Sequence, residues 1–402
     1  MNQPSLVQYG FLSLLIWGLN ATTLWSQKNI NSSFDLELGT DLSLFFSKGA
    51  YEQQKQVYPA FYLQPEYALD WKGGMHNINF KGFLRYDPNG NSRDHVDVRE
   101  LYYQYVKNNW ELSVGAKRIF WGKTESAHLV DVINQVDFLE GIDGEEKLGQ
   151  PMVQLSYAST FGTFDLFYLP YSRSLQFGNA AGRPRTPIIL SDEEVRFEAS
   201  QEAWAPSASL RWSHFIGPMD IGLHYFYGNA REPLLDIQAD GAFGLLHPEV
   251  HQVGLDYQVI VKDWILKLET MYRAGGFDNI FATATGFEYT FSNIKNSGID
   301  VGLLGEYLYD SRRELAFTSL DNDVFAGARI VFNNAQSTEF LLGFFSDLSK
   351  SSKLLRLEGN QRIGENYKME VTSQFFLHID EREFLYAFRE DSFLQLTLIR
   401  YF

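Results

Sequence analysis

Residues 34–46 read Phe-Asp-Leu-Glu-Leu-Gly-Thr-Asp-Leu-Ser-Leu-Phe-Phe. Phe34, Leu36, Leu38, Leu42, Leu44 and Phe46 fall on even positions, and Asp35, Glu37, Asp41 and Ser43 on odd ones. Side chains alternate along a strand with period two, whereas a helix gathers every third or fourth residue onto one face. The stretch is therefore a strand with one apolar and one polar side. A helix would scatter both sets around its axis.

The same alternation runs to the end of the chain. It predicts further strands near 57–71, 76–86, 95–106, 110–121, 151–158, 162–169, 206–216, 219–227, 248–261 and 264–273. Others follow near 279–291, 298–310, 323–333, 338–347, 352–362, 366–378 and 391–402, which makes eighteen. Many run 10 to 13 residues, which exceeds the ~5–6 of soluble sheets and approaches a tilted membrane strand. Short links such as Lys72-Gly73-Gly74, Lys107-Asn108-Asn109 and Lys262-Asp263 alternate with long ones at 122–150, 170–205, 228–247, 311–322 and 379–390. Membrane barrels show this rhythm. The links 274–278 and 348–351 are short where long ones are due, so sixteen strands remain the alternative count.

Composition fits that architecture. Aromatic residues make up 16% while mean hydropathy is only -0.23, which one alternating wall reconciles, since half of each strand faces a polar interior. Fifty acidic residues against 34 basic ones leave no basic surplus for phosphates, which excludes nucleic acid as a partner. The chain has no cysteine, hence no disulfide, lipid-anchored Cys or thiolate metal site. Phe11 to Leu19 is an apolar run of signal-peptide length, too short to span a bilayer, which predicts a cleaved signal at 1–27 and a single barrel domain at 28–402.

The expectation is an all-β fold: a transmembrane antiparallel up-and-down β-barrel of about 18 strands with both termini periplasmic, in a Gram-negative outer membrane. Barrels of 16–18 strands are wider than side chains alone can fill, so the lumen holds water and passes polar solutes. Arg85, Lys117, Arg211, Arg329, Arg356 and Lys368 fall on the polar face, with carboxylates such as Glu269 and Glu306 beside them. Lys117, Lys123, Asp131 and Asn134 are expected at a constriction made by an inward 122–150 loop. The competing reading is a surface loop whose Asp and Asn cap turns. Residues 170–205 carry Arg173, Arg183 and Arg185 beside Asp192-Glu193-Glu194, which reads as a lid, as a receptor for external ligands or as a solvated mixed-charge loop.

Residues 110–122 read Trp-Glu-Leu-Ser-Val-Gly-Ala-Lys-Arg-Ile-Phe-Trp-Gly, and Asp131-Val132-Ile133-Asn134 follows. This resembles a family of large porin-like outer-membrane barrels, distantly similar to alginate-export channels, whose strand carries Gly-Arg-Gln-x-x-x-Trp-Gly before an Asp-x-x-Asn-Pro. Gly115, Trp121, Gly122, Asp131 and Asn134 match, while Ala116 replaces the family Arg and Gln135 its Pro. Phe402, with Leu398, Leu396 and Leu394 at alternate positions, resembles the C-terminal signal of such barrels, and Arg400 stands where they place an aromatic or apolar residue. The resemblance implies partners in outer-membrane lipid, lipopolysaccharide, the barrel-assembly machinery and small polar solutes, and homo-oligomerisation stays open.

Two other functions compete: a closed barrel acting as adhesin or structural element, and a barrel enzyme. For the enzyme, His214, His224 and His378 are candidate bases. No Gly-x-Ser-x-Gly or His-Glu-x-x-His motif accompanies them, so no catalytic, metal or cofactor site is expected.

Overall fold

The computed structural model describes residues 30–89, 93–179, 181–184, 195–237, 243–276, 278–313 and 320–402; the expected signal segment at 1–27 lies outside them. The first strands are β1 Ile30–Phe45, β2 Val57–Trp71, β3 His76–Tyr86, β4 His95–Lys107, β5 Trp110–Lys117 and β6 Gln150–Ser159. There follow β7 Gly162–Leu169, β8 Ser207–Ile216, β9 Met219–Asn229, β10 Glu249–Val261, β11 Trp264–Gly275 and β12 Ile280–Phe291. The last six are β13 Asp300–Asp310, β14 Asn322–Val331, β15 Glu339–Asp347, β16 Lys353–Ile363, β17 Tyr367–His378 and β18 Phe393–Tyr401. Every one pairs antiparallel with its successor, and β1 pairs with β18 from Glu37↔Tyr401 to Phe45↔Phe393, which closes an eighteen-stranded barrel. Sixteen is thereby overturned: full-length strands, Trp264–Gly275 and Ile280–Phe291, Glu339–Asp347 and Lys353–Ile363, stand on either side of the two short links.

The period-two pattern sets which way each side chain points. Phe34, Leu38 and Leu42 of β1, Leu166 of β7, Leu223 of β9, Leu266 of β11, Leu342 of β15 and Leu398 of β18 all lie exposed on the outer wall. Leaving one such side chain in water costs ~1.5–3 kcal/mol, which makes this belt a lipid-facing surface. Closure leaves the wall no edge, the condition for extended backbone to sit in hydrocarbon. Among the described residues no helix is long and apolar enough to cross a membrane. Arg400 also points outward, but at the rim, where its guanidinium lies 4.3 Å from the Phe402 ring and 5.7 Å from the Tyr367 ring. A long side chain at that height keeps its charge in the interface while its stem covers apolar wall.

Two local departures matter for the interior. In β4, Lys81 faces Glu100 while Gly82 faces Val98, so Arg99 is an extra, bulged residue, and it is buried in the lumen. A bulge re-aims a side chain without breaking the sheet. In β5, Gly115 has φ +138, and a Cβ there would lie 2.2 Å from the Leu101 carbonyl oxygen, so only glycine fits. Two residues later the chain leaves the wall. The strand expected over 110–121 stops at Lys117, and Trp121, expected near its outer end, is instead buried inside the barrel.

Candidate functional site

Residues 118–149 fold into the lumen. Asn134 gathers the two ends of this loop: its Oδ1 accepts from Ile119 N at 2.9 Å, and its Nδ2 donates to the carbonyls of Lys117 at 2.9 Å and Leu148 at 2.8 Å. The loop thus exchanges ladder bonds for a side-chain clamp, and that exchange ends β5. Asp131 accepts from Trp121 N at 3.4 Å and pairs with Lys147 at 3.2 Å. One flank of the loop is apolar. Trp121, Val130, Val132 and Ile133 pack against Met152, Phe167, Phe226 and Val250, a hydrophobic core inside the barrel.

The tip is pinned to the wall by carboxylates. Glu269 of β11 accepts at Oε1 from Lys123 N (2.6 Å), Thr124 N (3.0 Å) and Thr124 Oγ1 (2.9 Å), and at Oε2 from Val130 N (3.4 Å). Glu306 of β13 accepts from Glu125 N at 2.8 Å and Ser126 N at 2.9 Å, and also from the Ser126 hydroxyl. Lys123 pairs with Asp220 of β9, and Arg329 of β14 holds Glu125 at 2.7 Å. Burial opposes charge on His128, but hydrogen bonds and charge from Glu145 and Glu269 prevail and push its pKa up to about 10.

The opposite limb of the loop reaches the other wall. Arg85 of β3 grips Glu140 with two bonds, 2.6 and 2.5 Å, and Asp41 of β1 at 2.8 Å. The bulged Arg99 meets Asp137 at 2.5 Å, and Arg356 of β16 meets Asp143 at 3.0 Å. Burial alone would raise the Asp137 pKa, but His95 and Arg99 hold it down to about 2. Arg183, from the following long loop, is buried over the Phe45 ring at 4.3 Å and ties Asp391 (2.7 Å) to the carbonyls of Ser47 (2.9 Å) and Glu390 (2.8 Å).

A polar cavity of about 510 Å³ lies between this limb and the wall of β1–β3 and β16–β18. Glu37, Asp41, Glu140, Asp143, Glu145, Glu146, Glu358 and Glu370 line it with negative charge; Arg85, Arg93, Arg99, Arg183, Arg356 and Lys368 line it with positive.

Of the residues picked out from sequence, Arg85, Arg356 and Lys368 line this cavity, while Lys117, Lys123, Asp131 and Asn134 build or anchor the loop. Lys117 donates to Gln154 at 2.9 Å at the loop's base. Gly122 sits where a Cβ would lie 2.6 Å from His128 Nδ1. Arg329 also anchors the loop, through Glu125, while Arg211 pairs with Asp256 at 2.7 Å and covers the Trp121 ring at 4.7 Å. Sequence reasoning placed Glu269 and Glu306 on the polar face and Arg183 in the 170–205 loop without assigning them partners, and it passed over Arg99. The break in alternation at Val98-Arg99-Glu100-Leu101 was the available signal for Arg99. Arg185 and Asp192 to Glu194 lie outside the described residues. His224 packs 5.1 Å from the Trp121 ring with neither ring nitrogen hydrogen-bonded, while His214 lies 6.0 Å from the Trp212 ring and His378 ends β17.

No protein-family model and no curated protein matches the chain. Among solved structures, Acinetobacter baumannii OccAB3 aligns over 92% of this chain and 99% of its own, with a TM-score of 0.56 and 10% identity. A BenF-like porin from Pseudomonas fluorescens Pf-5 aligns over 92% and 98%, with a TM-score of 0.51 and 11% identity. The chain has the fold of outer-membrane porins.

Proposed function

We propose that this protein is a channel of a Gram-negative outer membrane, through which small polar solutes diffuse passively or by facilitated passage. The observation that carries the reading is the 118–149 loop held inside the barrel, beside a polar cavity left open along β1–β3 and β16–β18. A filled barrel needs no such opening. The end bearing the short links and both ends of the described barrel faces the periplasm, and the long loops face outward. Outer-membrane lipid and lipopolysaccharide surround the apolar belt, and Phe402 is the residue the assembly machinery reads. The porin fold of OccAB3 and the BenF-like porin supports this reading. Lys117, Lys123, Asp131 and Asn134 act by holding the constriction, and Arg85, Arg356 and Lys368 by lining it.

Reconstitution in planar bilayers tests the proposal. Stepwise conductance and permeation of small sugars into liposomes are expected, and removal of residues 124–148 widens the channel. A barrel that inserts but passes no current fits an adhesin or structural element instead. Unchanged conductance after the deletion removes the loop from the path.

A further inference from the structure

At the long-loop end of the barrel, β14 and β15 bring carboxylates together with little to neutralise them. Asp323 and Asp347 stand directly opposite each other across this strand pair, both buried, and Asp321 comes just before β14 begins. One oxygen from each of the three lies within 4.8 Å of the others, and the residues are only 1%, 3% and 5% exposed in chain order. Like charges directly opposite on neighbouring strands weaken a sheet.

Among the described residues a single cation pairs with this cluster. Lys350, in the link after β15, places Nζ 2.9 Å from Asp321, 3.8 Å from Asp347 and 3.8 Å from Glu383 of the 379–390 loop. One ammonium thus serves Asp321, Asp347 and Glu383 together, and among the described residues Asp323 forms no ion pair. Asp347 gives a second, separate sign. Its Oδ1 accepts from the backbone N–H of Ser349 at 2.5 Å and from that of Lys350, whereas its Oδ2 is buried without a hydrogen-bond partner. That oxygen faces the ammonium that Asp321 holds, so it is aimed into the cluster. A buried carboxylate oxygen without a donor is costly, and a bound cation relieves that cost together with the repulsion.

The donors select the ion. All three are carboxylate oxygens, which suit hard cations; the cluster holds no imidazole and the chain no thiol to favour zinc. Two oxygens on one Ca²⁺ lie at most ~5 Å apart, twice the bond length, whereas the shorter bonds of Mg²⁺ allow only ~4.2 Å. A span of up to 4.8 Å falls within calcium's reach. Asp323, Ser352 and Glu383 also line a second cavity, of about 290 Å³, between the inward loop and the walls of β11 to β17, which gives an ion a way in.

We propose that Asp321, Asp323 and Asp347 bind one calcium ion at the long-loop rim of the barrel, with Lys350 left to Glu383. The ion joins the ends of β14 and β15 where the apo protein has carboxylates repelling each other. The site stands apart from the channel reading, and binding is read whether or not the barrel conducts.

Calorimetry on the full chain in non-ionic detergent, after metal is stripped with a chelator, tests it with CaCl2 as the probe and MgCl2 and KCl as comparators. Ca²⁺ is expected to saturate one site with a Kd on the order of 10⁻⁴ M and to raise the unfolding temperature, and Mg²⁺ to bind about tenfold more weakly. Asp323→Asn removes a ligand charge and is expected to weaken Ca²⁺ binding about tenfold or more. In chelator the same variant should unfold no earlier than the parent, because the repulsion across the strand pair is gone. Should it fail to fold, Lys350→Gln decides: every carboxylate stays and the competing ammonium goes, so Ca²⁺ should bind about tenfold more tightly. No saturable Ca²⁺ binding, Mg²⁺ or K⁺ acting as well as Ca²⁺, undiminished binding by Asp323→Asn, or unchanged affinity in Lys350→Gln overturns the proposal.

Discussion

Replacing Glu269 by glutamine keeps the shape of the wall anchor and removes its charge. Three donors converge on Oε1, from Lys123 N, Thr124 N and Thr124 Oγ1 at 2.6 to 3.0 Å. Each changes from a charge-assisted to a neutral bond, a loss of about 1 kcal/mol apiece. The amide nitrogen then turns toward the Val130 N–H, donor against donor, which costs about 1 kcal/mol more. Against this, a carboxylate that is 0% exposed no longer has to be desolvated, which returns about 2 kcal/mol. The balance of about 2 kcal/mol corresponds to a roughly 30-fold shift toward the undocked loop. In bilayers, Glu269→Gln should show larger and noisier steps than the parent. The chain has no cysteine, so a single one at Ala127 reports undocking independently through its rate of thiol labelling. Barrel unfolding should move little, because the ladder is untouched. Steps and labelling rates identical to those of the parent, in a variant that folds, would refute the assignment of Glu269 as the anchor.

Asn134→Ala removes three buried hydrogen bonds at once and should cost about 2–4 kcal/mol, seen as rapid cleavage of the 118–149 segment by added protease while the barrel stays intact. Loop docking should also depend on pH at both extremes. His128 has a folded pKa raised from 6.5 to about 10, so its contribution is fully present below 6.5 and is lost as pH rises through 10; Asp137, lowered from 3.8 to about 2, contributes above 3.8 and loses its contribution as pH falls through 2. Quiet conductance between pH 4 and 6.5, with noise growing as pH rises from 6.5 to 10 and levelling above it, is the expected recording, and noise that does not change between pH 6.5 and 10 contradicts it. Arg85→Gln takes one cation from a cavity that already holds more carboxylates than cations. Reversal potentials in a KCl gradient should shift toward cation selectivity, and a shift toward anions counts against this cavity as the path.

Sequence alone determined the wall. Phe34 to Phe46 and the strands that follow declare their two faces through a period of two, a local property that needs no knowledge of partners, and the long and short links set the up-and-down order. Arg85, Arg356 and Lys368 were legible for the same reason, as charges on the inward face. Their task was not, because it depends on what enters the lumen. Glu306 meets Ser126 across 180 positions of chain and Glu269 meets Lys123 across 146, and no local pattern encodes which carboxylate a distant loop will reach. The bulge at Arg99 and the unpaired Oδ2 of Asp347 are likewise products of packing. Alternation decides which way a side chain points, whereas only the closed barrel, by bringing distant strands around one loop, decides what it finds there.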